Sequence, residues 1–183
     1  MNALSNVTYF LVDTLFSLYI ALIMIRMLLG FARADFRNPI SQFIITATNP
    51  VLRPVRSLIP SVGKVDSAAI VVMIVLKMIQ LSLLLLIKGQ APALLPLLWY
   101  AVLQLLELLV YVYIFALIIQ AVISWVNPGA LHSGNPMGSL LNSITRPVVA
   151  PISRMVPPIG MIDISPLIAI LLLNIVLIII RSL

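Results

Sequence analysis

Two ionisable residues stand inside long apolar runs, Lys77 near the middle of one and Glu107 well inside the next. A charge in hydrocarbon is costly, so such residues pair with one another or face water, and they often mark ion paths. Gln80 lies three residues from Lys77 and Gln104 three from Glu107. That spacing puts each pair on one face of a helix. A short turn, GQAPALLP, joins the two runs; Lys77 is 11 residues inward of Lys88 and Glu107 is 10 inward of Leu97. Both are therefore expected about 15–16 Å from the turn end of an antiparallel helix pair. The pattern predicts a polar ladder, Lys77 with Glu107 and Gln80 with Gln104. Two kinds of chemistry fit it: interhelical bonds that hold the spans together, or the lining of an ion or proton path.

The elements that must position this ladder are membrane spans. Of the 183 residues, 62% are hydrophobic and 9% charged, against about 45–50% and about 25% in soluble domains. Too little charge is present to coat a water-soluble surface. Four runs approach the roughly 20 residues that a bilayer crossing needs: residues 9–29, Ser67–Ile87, 97–126 and 165–180. The first, preceded by no basic segment and too long for a signal-peptide core, reads as a retained span. The third exceeds one crossing and should tilt, kink or protrude; the fourth is short and should thin the bilayer or rely on Arg181. Tyr9, Phe10, Trp99, Tyr100 and Trp125 suit the headgroup belts. Asp13, in the first turns of the first span, meets a favourable helix dipole.

Between spans the chain repeats itself. Residues 38–60 read NPISQFIITATNPVLRPVRSLIP; residues 135–157, at an offset of 97, read NPMGSLLNSITRPVVAPISRMVP. Asn38, Pro39, Thr48, Pro50, Pro54 and Pro60 recur at that offset, as do Gly63 and Asp66. Matching prolines imply the same backbone path built twice. Each copy starts with an Asn N-cap and a proline in the first turn. Ile40, Phe43, Ile44 and Ala47 then form an amphipathic stripe, mirrored by Met137, Leu140, Leu141 and Ile144. Pro50 and Pro147 are expected to stop these helices. Too short to cross, each lies in the interface or dips in and returns, the surface-lying course being preferred. The expected fold class is an all-α integral membrane protein. Four transmembrane helices form two parallel repeats, 9–88 and 97–181, each span–amphipathic helix–proline-rich turn–span.

Charge orients the bundle. Arg33, Arg37, Arg53, Arg56, Lys64, Arg146 and Arg154 fall in the two repeat loops, with Arg26 at their border; only Lys88 and Arg181 fall opposite. The positive-inside tendency places both repeat loops in the cytoplasm and both termini outside. The net charge of +6 thus points to anionic phospholipids rather than nucleic acid. Arg26, Arg53, Arg56, Arg146 and Arg154 are the expected lipid or partner contacts, with Arg26 either snorkelling or binding lipid phosphate. Asn174 occupies the position of Lys77 in the second copy and is expected to join the seam or to bond Gln120. Asp66 and Asp163 should cap the spans that follow them. The lone His132, in a glycine-containing loop, should be exposed and inert.

No cysteine is present, which removes disulfides, thiolate metal sites and thiol nucleophiles. Motifs for serine or zinc hydrolysis, phosphate-cradling loops and paired carboxylates on one helix face are absent, as are selectivity-filter runs. No cofactor is expected. Other membrane proteins are expected partners, and oligomerisation is compatible with four spans.

The sequences TNPVLRPVRSLIP, TRPVVAPISRMVPP and GMIDISP, each set behind an Asn-Pro start, resemble the YggT family of small bacterial inner-membrane proteins across nearly the whole chain. Pro54 and Arg56 meet the family-like Pro-x-Arg, whereas Ser153 takes the arginine position in copy two, with Arg154 following. Asp163 to Pro166 meet an Asp-x-Ser-Pro ending that copy one lacks beyond Asp66. The resemblance implies no assigned enzymatic activity. It implies instead a role in membrane assembly, as in plastid relatives that resemble haem-attachment factors, or in division, osmotic tolerance or potassium handling. With no CxxCH and no in-membrane histidine pair, haem ligation by the chain itself is not expected. Assembly or scaffolding is the leading function, and a small channel or transporter component the alternative.

Overall fold

The computed structural model describes residues 2–61, 63, 65–126, 135–156 and 164–183, with Trp125 by backbone only. Six helices follow: α1 (Ala3–Phe31), α2 (Pro39–Leu58), α3 (Ser67–Ile87), α4 (Leu94–Val126), α5 (Pro136–Met155) and α6 (Ser165–Arg181). The expectations for Lys64, His132, Pro157, Gly160, Asp163 and the Trp125 side chain lie outside the described residues.

α1, α3 and α4 are long and apolar enough to cross a membrane. α6, the fourth expected span, has 17 residues, about 25 Å at 1.5 Å per residue, less than the roughly 30 Å of hydrocarbon. α1 packs on α3, α4 on α6, and α3 on α4. α2 lies across α1 and α3, and α5 across α4 and α6. α2 and α5 start side by side, where the Asn38 amide donates to the Pro136 carbonyl at 2.5 Å. The core gathers at the meeting of α1, α2 and α3 around Ile20, Ile23, Leu29, Ile44, Leu52 and Met73, and reaches Leu141 and Ile144 of α5.

Both amphipathic helices begin as expected. Asn38 Oδ1 accepts from the Ile40 N–H at 2.9 Å and Asn135 Oδ1 from that of Met137 at 3.0 Å. They do not stop where expected. Pro50 and Pro54 lie inside α2, and Pro147 and Pro151 inside α5. The reason is their spacing of four, which puts both prolines of a helix on one face. All four are exposed, so the carbonyls they leave unpaired face surroundings that can satisfy them rather than the protein interior. In the turns before Pro50, Tyr19 donates to the Ala47 carbonyl at 3.4 Å and Arg26 to that of Ile45 at 3.3 Å.

The stripe of α2 is also rotated from the expected one. Its buried residues are Ser41, Ile44, Thr48 and Leu52, while Phe43 is 66% exposed. Beside lipid, apolarity no longer separates inside from outside, and small or weakly polar residues mark the close helix contacts. In α5 the buried Leu140, Leu141 and Ile144 follow expectation, and Met137 is exposed.

Two span ends close by the same motif with different residues. After α3, Gly89 (φ 72) and Gln90 donate back to the carbonyls of Leu86 and Leu85, the paired bonds of a left-handed helix cap. After α1, Arg33 and Ala34 bond the carbonyls of Gly30 and Leu29 in the same way, with Arg33 at φ 50. A side chain there strains the backbone by about 1 kcal/mol. Arg33→Gly is therefore expected to raise unfolding stability by about 0.5–1 kcal/mol. Denaturant unfolding in mixed micelles measures this, and an unchanged or lower midpoint counts against the strain.

Candidate functional site

Each amphipathic helix is fastened to the long helix before it by a threonine that precedes the first internal proline by two residues. Thr48 and Thr145, equivalent in the repeat, are both 0% exposed. In the first copy Arg26 of α1 donates to Thr48 Oγ1 at 2.6 Å and to Asn49 Oδ1 at 2.8 Å, besides the Ile45 carbonyl. Thr48 passes its own proton to the Ile44 carbonyl at 2.6 Å. In the second copy Thr145 bonds Gln120 Oε1 of α4 at 2.6 Å. The expected role of Arg26 as a lipid contact is thus corrected: it is 6% exposed, and it makes three bonds to α2. A guanidinium supplies several donors in a fixed fork, which suits three acceptors on one bent helix. Gln120 bonds Thr145 and not Asn174.

The residues expected to form a polar ladder are bonded differently. Lys77 Nζ donates to Gln80 Oε1 at 3.0 Å on its own helix. Gln80, fully buried, turns to α1 instead of Gln104. Its amide N–H group faces Asp13 Oδ1 at 2.8 Å, Ser17 Oγ at 2.9 Å and the Asp13 carbonyl at 3.1 Å. Glu107 pairs with Arg181 at 3.6 Å, and Arg181 also bonds the Tyr111 hydroxyl. The direct Lys77–Glu107 and Gln80–Gln104 pairs are therefore replaced. Hairpin register sets depth along a helix but not rotation about its axis, so each residue turned to a different neighbour.

Lys77, Gln104 and Glu107 nevertheless meet around one cavity of about 160 Å³, lined also by Ser17, Ile20, Leu108 and Tyr111. Lys77 is 9% exposed and spends one of its three donors on Gln80. Water has a liquid volume of about 30 Å³ per molecule, so the cavity has room for a few waters between ammonium and carboxylate. Asp13, ten residues inside α1, is a seam acceptor rather than a residue of the helix's first turn. Its i, i+4 spacing with Ser17 was the sequence signal for this role. Asn174 corrects another expectation. It is exposed on α6 and donates along its own helix, to the Ile170 carbonyl at 2.8 Å.

Arg53, Arg146 and Arg154 are exposed. Arg56 pairs with Asp66, whose other oxygen caps α3 by accepting from the Ala69 N–H at 3.2 Å. Beside that pair opens a cleft of about 600 Å³, lined by Arg33, Arg56, Gly63 and Asp66 among others. On the opposite end, Lys88 stands 4.9 Å over the Tyr9 ring, a cation–π contact that ties α3 to α1. Among the described residues no group of three or more His, Asp or Glu could hold a metal ion, and no catalytic cluster is assembled.

The model of the CCB3/YggT family matches residues 5–87 and 99–183. A protein of Vibrio alginolyticus is 39% identical over 170 residues, covering 92% of this chain and 88% of its own length. One from Pseudomonas aeruginosa is 36% identical over 178 residues, covering 96% and 89%. The YggT protein of Escherichia coli K12 is 34% identical over 172 residues, covering 93% and 87%. No solved structure matches the chain. Three helices able to cross a membrane, two amphipathic helices fastened to them, and a family match over both halves lead to one assignment: this is a multi-pass membrane protein that belongs to the YggT family of small bacterial proteins.

Proposed function

We propose that the chain is a non-enzymatic assembly or scaffolding protein of the bacterial inner membrane. Its two repeats, 9–88 and 97–181, each contribute two crossings, α6 by local thinning of the bilayer. Both repeat loops face the cytoplasm and both termini the periplasm. There α2 and α5 present Arg53, Arg56, Arg146 and Arg154 to anionic phospholipids and to partner membrane proteins. The observation that carries this reading is the fastening of both amphipathic helices through buried Thr48 and Thr145. It holds them at the bundle surface with Arg53, Arg146 and Arg154 turned outward.

A basic residue near an anionic membrane surface contributes about 1 kcal/mol. Neutralising Arg53, Arg146 and Arg154 to Gln together should therefore weaken retention of phosphatidylglycerol in nanodiscs by up to roughly a hundredfold. Helix content should not change. Equal enrichment of anionic lipid by both forms would refute the lipid-facing role. Cysteines placed at 56 and 154 should label from the cytoplasm and one at 90 from the periplasm.

The cavity bounded by Lys77 and Glu107 favours a second reading, a small channel or transporter component. Ion flux in liposomes that Glu107→Gln abolishes would replace scaffolding with this one.

A further inference from the structure

α3 and α6 are equivalent in the repeat, yet their neighbours differ. α3 packs on α1, α2 and α4, whereas α6 touches α4 and α5 and, among the described residues, makes no contact with α1. One helix–helix face that α3 fills within the chain therefore stands open on α6. Lys77 borders that face of α3, lining a cavity with Gln104 and Glu107 of α4. Its equivalent on α6 is Asn174, which is exposed.

Around Asn174 runs a seam of exposed residues at helical spacing: Leu167 at 70%, Leu171 at 61% and Ile178 at 68% exposure. The steps of four, three and four keep Leu167, Leu171, Asn174 and Ile178 along one line of the helix. Between Leu167 and Ile178 the Asn174 amide is, among the described residues, the one polar side chain on this line, while Arg181, seven residues on, is engaged with Glu107 and Tyr111 of α4. The amide N–H group bonds the Ile170 carbonyl, already an acceptor within the helix. In hydrocarbon such an amide drives helix association by bonding across the contact.

We propose that two copies of this chain associate through α6, with the Asn174 amides bonding reciprocally across a twofold axis. A second copy is the occupant the chemistry selects, because an amide carries both donor and acceptor and is complementary to itself. A twofold contact brings each residue of such a seam against its own counterpart or near neighbours. The pairing requires neither Lys77 nor Arg53, Arg146 and Arg154, so it stands independently of the function proposed above.

The chain contains no cysteine, so single cysteines report the contact without background. In native membranes under mild oxidation, Leu171→Cys and Ile178→Cys should form disulfide-linked dimers. Cysteines at Ala169 and Leu177, buried against the rest of the chain, should not. For full-length protein in bilayers, Asn174→Val should raise the dimer dissociation constant about threefold to thirtyfold, the range reported for polar interhelical bonds. Asn174→Gln should restore most of the affinity. Because the side chain is exposed, the monomer should fold equally well in all three forms. A monomer at every protein-to-lipid ratio, cross-linking centred on α1, or an affinity unmoved by Asn174→Val would each overturn the proposal.

Discussion

Replacing Gln80 with leucine is expected to cost about 3–5 kcal/mol of stability, the range for stranding one member of a buried ionic network. One amide serves two opposite charges: it accepts from Lys77 and donates toward Asp13 and Ser17. Leucine fits the space but leaves the ammonium with no acceptor on its own helix and the α1 acceptors with no donor. Removing the cation instead leaves a neutral amide oxygen short of a partner, while Asp13 keeps its Gln80 donor and Glu107 its Arg181, so Lys77→Met should cost about 1–2 kcal/mol. The double variant should recover part of the Gln80→Leu loss, because no stranded cation remains. A coupling well above the additive error, measured by unfolding in mixed micelles, is the expected outcome. Simple additivity would mean that Lys77 already relies on water in the adjoining cavity rather than on Gln80. The latter result would strengthen the ion-handling reading.

The second large effect is at Arg26. Arg26→Leu removes three bonds to α2, two of them to side chains and one to a carbonyl in the bend before Pro50. Bonds from a charged donor are worth about 1.5–3 kcal/mol each, and they share one side chain, so about 3–4 kcal/mol in total is expected. The loss should be local first. α2 lifts from α1, and Leu52, fully buried beneath it, becomes reachable. A cysteine at 52 should therefore react with a soluble thiol reagent at least tenfold faster in the Arg26→Leu background. Arg26→Lys should fall between, since an ammonium cannot reproduce the planar fork. Gln120→Leu in the second copy removes a neutral bond to Thr145 and should cost about 1 kcal/mol. An unaltered labelling rate at position 52 would show that apolar packing alone holds α2 in place.

Such contrasts show which parts of the molecule were legible in the chain. The apolar runs located α3 to the residue and α4 and α6 to within three, because sustained apolarity has no other outlet in so short a chain, but missed the first six residues of α1. Asn38 and Asn135 announced the starts of α2 and α5, since a cap is satisfied by the residues that immediately follow it. The arginine count in the loops pointed to a basic end where α2 and α5 now lie. Lys77, Gln80, Gln104 and Glu107 stood out in the chain as polar residues at matching depth, and Lys77, Gln104 and Glu107 border one cavity.

Partner choice was not legible. Gln80 reached for Asp13 and Ser17 rather than Gln104, Glu107 for Arg181, and Arg26 for α2 rather than for lipid. Each choice depends on how far a helix is turned about its axis and on which helix stands beside it. Those quantities come from packing between segments far apart in the chain. The same holds for the prolines: four-residue spacing decides that their lost bonds face outward, but only the structure shows α1 bonding the carbonyls of Ile45 and Ala47 just before Pro50. For a chain in lipid, apolar pattern decides what enters the membrane. Which face meets protein and which meets lipid is settled by the few polar groups, because both surroundings are equally apolar.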